Sequence, residues 1–487
     1  MTTLIPKFDL KNGGTTPVGA INRAINQKLQ DFINAKDFGV VADGVTDDTT
    51  ALQNALNYAG TNANILILPT GTMLVSSALT VSFVANANGL AGGIQGQGQT
   101  SSVIKYTGSS NITVLTITAN YAETLTINGF KVLNGGSSTG STGIQITKVY
   151  GSSFFNVASV SFSTGFYLKD TNSNKYTKIT AQLNVIGLYA ELGGGQSYPN
   201  LNDFDSCNFL NNSKQGVFIN NGTNNTFKSC NFAQNGGSDP NSTSIYMYQE
   251  YGGNGGGFSL VENCYFEDNL GKDFWASCNG AGAYNFINNS FNKINGANNV
   301  TNHIYLDASA LSSATNLENL LCMMGNTFAK LNGYTGTNED VLLIYGINGF
   351  TNFVVFDQNV YESNAEAPTT YNLPAIALNN DRSGTTTNKK STLYFLGKDS
   401  TGVAKDGANI QSISNDINWV NAYLQFVVRN ADALMNAGSI QNTGAWMPYQ
   451  APTASAPTYI KGGMYFDTTL NKLRIGGATG WETVTSA

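Results

Sequence analysis

The stretch FDSCNFLNNSKQGVFINNGTNNTFKSCNF, residues 204–232, holds one full period of the pattern that decides the fold. It opens and closes on one hexapeptide form, FDSCNF and FKSCNF, with the alternating run GVFIN between them. The hexapeptide recurs as VENCYF, FINNSF, MMGNTF and FDQNVY, and LTINGF, ending at Phe130, is an earlier instance. The closing aromatics are Phe209, Phe232, Phe266, Phe291, Phe328 and Tyr361, spaced 23, 34, 25, 37 and 33 residues apart. The fourth position is Cys207, Cys230, Cys264, Asn289, Asn326 and Asn359. The alternating run has its own series: GIQIT, GFYLK, GLYAE, GVFIN, SIYMY, DFWAS, HIYLD, DVLLI and AIALN. Its first apolar residues are Ile144, Phe166, Leu188, Val217, Ile245, Phe274, Ile304, Val341 and Ile376.

Alternation at period two makes each run a short strand with one face inside. Two strand templates advancing together every 22 to 37 residues describe a coil repeated along an axis, with loops absorbing the variable gaps. The expected fold is all-β, a right-handed parallel β-helix. In it the Cys and Asn of the hexapeptide stack rung on rung, roughly 4.8 Å apart. The thiols are then small core hydrophobes and the amides bond along the axis.

Composition agrees. The chain has 487 residues, of which only 11% are charged, with 53 glycines against 10 prolines. A coiled coil or helical bundle needs far more Glu, Lys, Arg and Ala. Disorder is excluded by 26 Phe and 23 Tyr. A net charge of −6 without a basic block makes nucleic acid and anionic membranes poor partners. Five scattered cysteines form no disulfide framework, and a single histidine, His303, excludes a multi-histidine metal site. No metal or cofactor is expected. The start, MTTLIPKFDL, lacks the form of a secretory signal, and no apolar run approaches the roughly 20 residues that span a bilayer.

Residues 1–34 are a polar lead-in whose stretch VGAINRAINQKLQDFI (18–33) reads as a small helix or docking segment. The segment DFGVVADGVTDDTTALQNALNYAG then places Ala51, Leu52, Ala55, Leu56 and Ala59 on one helix face, capped by Asp47 or Thr46 and stopped at Gly60. ILILP and TGTMLVSSALTV follow as strands. The templates run from about 120 to 384. Residues 385–487 lose them, and STLYFLG, NAYLQFVV and GGMYFDTTLNKLRIGGATGWETV read as a separate β region. The expected divisions are therefore 1–34, 35–119, 120–384 and 385–487.

The segment DFGVVADGVTDDTTALQNALNYAG with ILILPTGTMLV resembles the opening of the pectate-lyase-like β-helix superfamily. The lead-in and the ending GMYFDTTLNKLRIGGATGWETV are similar to bacteriophage tailspikes, in style the capsule depolymerases of phages infecting encapsulated bacteria such as Acinetobacter. The resemblance implies a homotrimer on the virion tail, joined to the phage baseplate or tail through its N-terminus, that binds and cuts bacterial capsular polysaccharide. It implies that 1–34 is an attachment segment and 385–487 a trimerisation or receptor region. It makes Asp37, Asp43, Asp47 and Asp48 structural.

One residue beyond each first apolar position, alternation points Tyr167, Tyr189, Phe218, Tyr246, Trp275 and Tyr305 outward. This stripe is roughly 24 Å long. Its ring faces suit sugar rings, and groove or inter-subunit seam are both open. The preceding position runs Gly143, Gly165, Gly187, Gly216, Ser244, Asp273, His303 and Asp340. Asp273 and Asp340 then lie two rungs, about 10 Å, apart, close to the roughly 6.5–9.5 Å of inverting glycosidases. Asp307 lies on the same face across the aromatic. Two of Asp273, Asp307 and Asp340 are expected as general acid and base of a glycoside hydrolase, beside Tyr246, Trp275, His303 and Tyr305 as sugar-binding residues. Glu250, Glu267, Asp268 and Glu362 are rivals near turns. A polysaccharide lyase using Lys272 or Lys293 as its cation is the enzymatic alternative, and a non-catalytic receptor-binding fibre is the other.

Overall fold

A computed structural model describes residues 7–8, 23–24, 33–84, 92–119, 124–193, 198–237, 239, 242–248, 257–277, 282–293, 302–307, 320–330, 340–345, 354–357, 360–363, 375–378, 389–398, 404–414, 422–430, 433–441, 443 and 445–485. The chain divides into two compact units, Met1–Ile344 with Gly349–Ala377, and Tyr345–Asn348 with Leu378–Ala487.

The first unit is the parallel β-helix that the repeat demands. Three parallel sheets form its faces. The first, of 12 strands, runs from Ile33–Asn34 to Val354–Asp357, and the second, also of 12, from Asp43–Asp47 to Val360–Ser363. The third, of 11, runs from Leu79–Ser82 to Ala375–Leu378. One coil visits the faces in turn, as in Thr226–Lys228, Asn231–Ala233 and Thr243–Tyr248. The coil is right-handed, as crossovers between parallel strands are.

Inward residues stack in register. Phe154, Tyr176, Phe204 and Phe227 form one column with ring centroids 4.8, 4.8 and 4.9 Å apart. Phe209, Phe232, Phe266, Phe291 and Phe328 form another at 5.1, 4.9, 4.7 and 4.7 Å. Each stacked pair adds about 0.5–1.5 kcal/mol beyond its buried area.

The corners explain the Asn content. A single left-handed residue turns the chain between the second and third faces: Leu183, Asn211, Gln234 and Asp268, with φ of 58°, 54°, 55° and 48°. Each such residue costs roughly 1–2 kcal/mol. The residue that follows is a buried asparagine, and these form a ladder. Asn184 donates to Asn212 (3.1 Å), Asn212 to Asn235 (2.8 Å) and Asn235 to Asn269 (3.2 Å). The same amide oxygens accept backbone N–H groups of the preceding coil, so the corner amides that would be orphaned are satisfied. The expected Cys and Asn column also forms, with Cys264 N–H donating to Asn289 (2.9 Å) and Asn289 to Asn326 (2.9 Å). Burial pushes the Cys230 and Cys264 thiols up, so they stay protonated core groups.

Helix α1 (Thr49–Thr61) covers the open edge of the third face. Its Gln53 bonds both the N–H and the C=O of Thr80 in the edge strand, at 2.9 and 2.7 Å. The expected stop at Gly60 is corrected, since the helix runs to Thr61. Gly60 serves instead for close approach: a Cβ there would sit 2.6 Å from the Ser82 carbonyl. Asp47 accepts from Thr49 N–H (2.9 Å), while buried Asp48 accepts from Val41 and Ala42 N–H (2.7 and 3.0 Å). Of the lead-in, Lys7–Phe8 and Arg23–Ala24 pair antiparallel, so the expected helix is not formed at those two residues. Most of 18–33 lies outside the described residues.

The described residues of the second unit form β strands and one 3-10 turn, Thr453–Ser455. Lys389–Lys398, Ala404–Ser414, Ala422–Asn430, Ala433–Ile440 and Trp446–Pro448 make an antiparallel sheet. The expected terminal hairpin is Met464–Asp467 with Lys472–Gly476, and buried Asp467 holds its turn by accepting Thr469 and Leu470 N–H groups at 3.0 and 3.1 Å.

Candidate functional site

The outer side of the third face carries the aromatic ladder. In the strand Thr164–Lys169 the burial alternates after its first turn: Phe166 and Leu168 are buried, Tyr167 and Lys169 half-buried. Parallel register brings Tyr167 beside Tyr189, then Phe218, Tyr246, Trp275 and Tyr305 in line. Ring centroids step by 5.4, 5.0, 4.8, 4.5 and 5.6 Å.

The rings stand differently from the sequence expectation. The first four pairs are within 36° of parallel, so the rings cover one another's faces. What they offer outward is edges and phenol hydroxyls, not a row of open faces for sugar rings. The order breaks at Trp275 and Tyr305, which meet at 78°. There the Lys272 ammonium lies over both rings, 4.5 Å from the Trp275 centroid and 5.0 Å from that of Tyr305. Burial lowers the Lys272 pKa, and the nearby Asp307 carboxylate opposes that shift. Asp307 also helps raise Tyr246, whose pKa burial pushes up to about 12. Tyr246, Lys272, Trp275, Tyr305 and Asp307 therefore form one cluster.

At the other end sits Glu191, which accepts a hydrogen bond from each of two ladder hydroxyls, Tyr167 and Tyr189. Burial first, then this carboxylate, pushes Tyr189 up to about 12 and raises Tyr167 further. Glu191 and Asp307 are the carboxylates among the described outer residues of this face. Four strand spacings, roughly 19 Å, separate them.

The outward placement of Asp273 and His303 is corrected. Strands of this face repeat a burial pattern in which both the second and third residues are buried, as in Thr142–Thr147, Thr164–Lys169 and Ile186–Glu191. The chain is still turning out of the corner there, so alternation starts one residue late. A Cβ at Gly187 or Gly216 would meet Asn212 or Asn235 of the ladder at 2.9 and 3.2 Å. Asp273 lies in this buried column and is 0% exposed. Its carboxylate accepts from Asn269 Nδ2 at 2.8 Å, taking the place of a next asparagine, and its other oxygen meets His303 Nδ1 at 2.6 Å. His303 packs on Phe291 and Phe328 at 5.6 and 5.5 Å. The change from glycine to ionisable residues thus marks where the asparagine ladder ends.

Asp273 and Asp307 are not brought together, and the side chain of Asp340 lies outside the described residues. Asp273 faces the interior, Asp307 ends the strand Asn302–Asp307 on the outer side, and Asp340 is the first residue of the next strand, Asp340–Tyr345. Among the rivals, Asp268 is a buried corner residue with φ of 48°, and Glu267 lies on the second face. Glu362 lies in the strand Val360–Ser363, and Glu250 and Lys293's side chain lie outside the described residues.

A family profile described as rhamnogalacturonase A/epimerase, pectate lyase-like, matches residues 32–319. The chain belongs to this family. No curated protein sequence matches it. Among solved structures, this pectate-lyase-like chain is similar to ORF18 of Geobacillus virus E2, with 20% identity, a TM-score of 0.51, and coverage of 95% of this chain and 88% of that one. It is also similar to tailspike protein 2 of Escherichia coli O157:H7 bacteriophage CAB120, at 13% identity, TM-score 0.46, and 89% and 64% coverage. The gp42 tailspike of Acinetobacter phage vb_AbaP_AS12 matches at 11% identity, TM-score 0.43, and 94% and 88% coverage. The first of these shares the fold.

Chemically, the pectate-lyase-like face offers a cation within electrostatic reach of a carboxylate at one end, and a hydroxyl-bound carboxylate at the other. Glu191 was visible in GLYAE as an acid two residues after a ladder tyrosine, the same place Asp307 takes in HIYLD. The inner ladder was visible too, as an asparagine three residues after Phe209, Phe232 and Phe266.

Proposed function

We propose that the chain is a homotrimeric phage tailspike that binds a bacterial capsular or surface polysaccharide along the third face and cuts it at the Lys272–Asp307 end. Its place is the virion tail, attached through the N-terminus and acting outside the host cell. The carrying observation is Lys272 set over Trp275 and Tyr305 beside Asp307, on the outside of a pectate-lyase-like β-helix. The similarity of fold to a viral protein and the tailspike-like ends of the chain support the assignment to a virion.

The described side chains favour β-elimination on a uronic acid polymer. Lys272 neutralises the uronate carboxylate, which acidifies the adjacent C–H. Asp307 takes that proton, and the glycosidic oxygen leaves from the neighbouring carbon as a double bond forms, taking a proton from water to become a hydroxyl.

Hydrolysis by a carboxylate pair, the expectation from sequence, is the second reading, favoured by Asp307 standing on the outer face. Its partner is not Glu191, because roughly 19 Å exceeds both the retaining and the inverting separations. Asp340 or a carboxylate of a second copy would fill that role.

Digestion of purified capsule, followed by ultraviolet absorbance and reducing ends, tests both. Elimination yields an absorbing unsaturated product. Reducing ends without absorbance mean hydrolysis. Binding with neither signal, and no halo on a capsulated lawn, means an adhesive fibre and overturns the enzymatic reading.

A further inference from the structure

The two ends of the ladder are built differently: at one, Lys272 stands over two rings near Asp307, and at the other Glu191 accepts two tyrosine hydroxyls, and cleavage at Lys272–Asp307 gives Glu191 nothing to do. Folding does not explain it either. Leu188 and Ala190 supply the buried side of its strand, and the backbone register holds the strand to its neighbours. Two half-buried phenols nevertheless converge on this one carboxylate. Lys169, its register neighbour, makes no ion pair with it, and the Lys169 stem runs against Gly193.

We infer that the ladder reads its glycan in one direction, taking an acidic sugar at Lys272 and an amino sugar at Glu191. This rests on the glycan-binding reading of the third face and narrows its substrate to a heteropolymer. An ionised carboxylate only accepts hydrogen bonds, and each oxygen bonded to a tyrosine keeps a second lone pair for a ligand N–H or O–H. The tyrosines fix its orientation. Their hydroxyls are committed as donors to Glu191 and so do not compete for the incoming group.

A second carboxylate placed there meets repulsion. Three strand spacings, about 14 Å, separate Glu191 from Lys272 along the sheet, more than the roughly 10 Å over which charges are felt at 0.1 M salt. The ends therefore act separately. A uniform polyanion gains at one end and loses at the other, and a neutral polymer leaves the lysine unused. A chain mixing acidic with amino sugars satisfies both.

The test uses crystals of the full chain soaked separately with glucuronate and with glucosamine, and titrations of the same two probes in solution. Glucuronate should place its carboxylate at Lys272, and glucosamine its ammonium at Glu191. Glu191→Gln should weaken glucosamine about tenfold, the loss of one charge-assisted bond, and leave glucuronate bound at Lys272. The reverse order, both probes at one end, no glucosamine at Glu191, or a Glu191→Gln variant with unchanged glucosamine affinity would each overturn the inference. Capsule cleavage is scored in parallel. If cleavage persists while glucosamine misses Glu191, only the directional reading falls. If no sugar binds the face and no capsule is cut, the depolymerase reading falls with it.

Discussion

Lys272 is held over two rings, where burial lowers its affinity for a proton and Asp307 restores part of it. A cation in that position strengthens any bound carboxylate, because the surrounding water is thinned. Replacing it by Met should lower cleavage by about 100-fold or more, the cost of removing one charge-stabilising donor. Initial rates on purified capsule check this, and a Lys272→Met enzyme of undiminished rate removes lysine from the chemistry. The Asp273–His303 pair belongs to stability instead. Both groups are buried, so His303→Ala removes the imidazole partner of a buried carboxylate and should cost about 3–5 kcal/mol, read as a lower guanidinium midpoint. Their positions show where sequence reading stops. A strict period of two puts position 273 outside, and only the late turn at the corner puts it inside. No residue near Asp273 announces that turn, except the asparagine four places earlier to which it bonds.

Among elements, the strands and their order were legible because the pattern repeats at every coil, and each repeat must bury the same side of the same strand. The corners were half legible. The Cys and Asn column stood out beside its aromatic, whereas the Asn184–Asn269 ladder shows only as an asparagine three residues after Phe209, Phe232 and Phe266, in turns that look like ordinary polar loop. That ladder should be among the least forgiving parts of the molecule. Asn212 accepts from both the backbone and side chain of Asn184 and donates to Ala181 and Asn235. Asn212→Ala orphans at least two buried groups and should cost roughly 3 kcal/mol or more, measurable by chemical denaturation. The terminal hairpin is acid-sensitive in a defined sense. Burial of Asp467 works to raise its pKa, but the bonds it accepts from Thr453, Leu470, Tyr465 and Thr469 outweigh that, and the net shift is downward. A lowered folded pKa means the stabilisation is complete above the unfolded value, about 3.9, and fades as pH falls through the folded one. Trp481, whose ring lies 4.8 Å from that of Tyr465, should report the hairpin loosening by its fluorescence below about pH 4, and Asp467→Asn should flatten that response.

For the whole molecule, scarcity of charge is a property of the repeat, since like charges stacked at roughly 4.8 Å repel along the axis. The few ions on the third face are thereby set apart, and the face reads as a row of aromatic rings with Lys272 and Asp307 near one end and Glu191 near the other. Three chains per particle are expected in solution, and light scattering showing a stable monomer would count against the tailspike assembly. The central claim is that glycan lies along this face and reacts beside Lys272 and Asp307. A crystal structure of the chain with oligosaccharide released from its own capsule digest tests it most directly. The account predicts sugar along Tyr189, Tyr246 and Tyr305, with an acidic residue against Lys272. Sugar bound on the first or second face, away from the ladder, would contradict it.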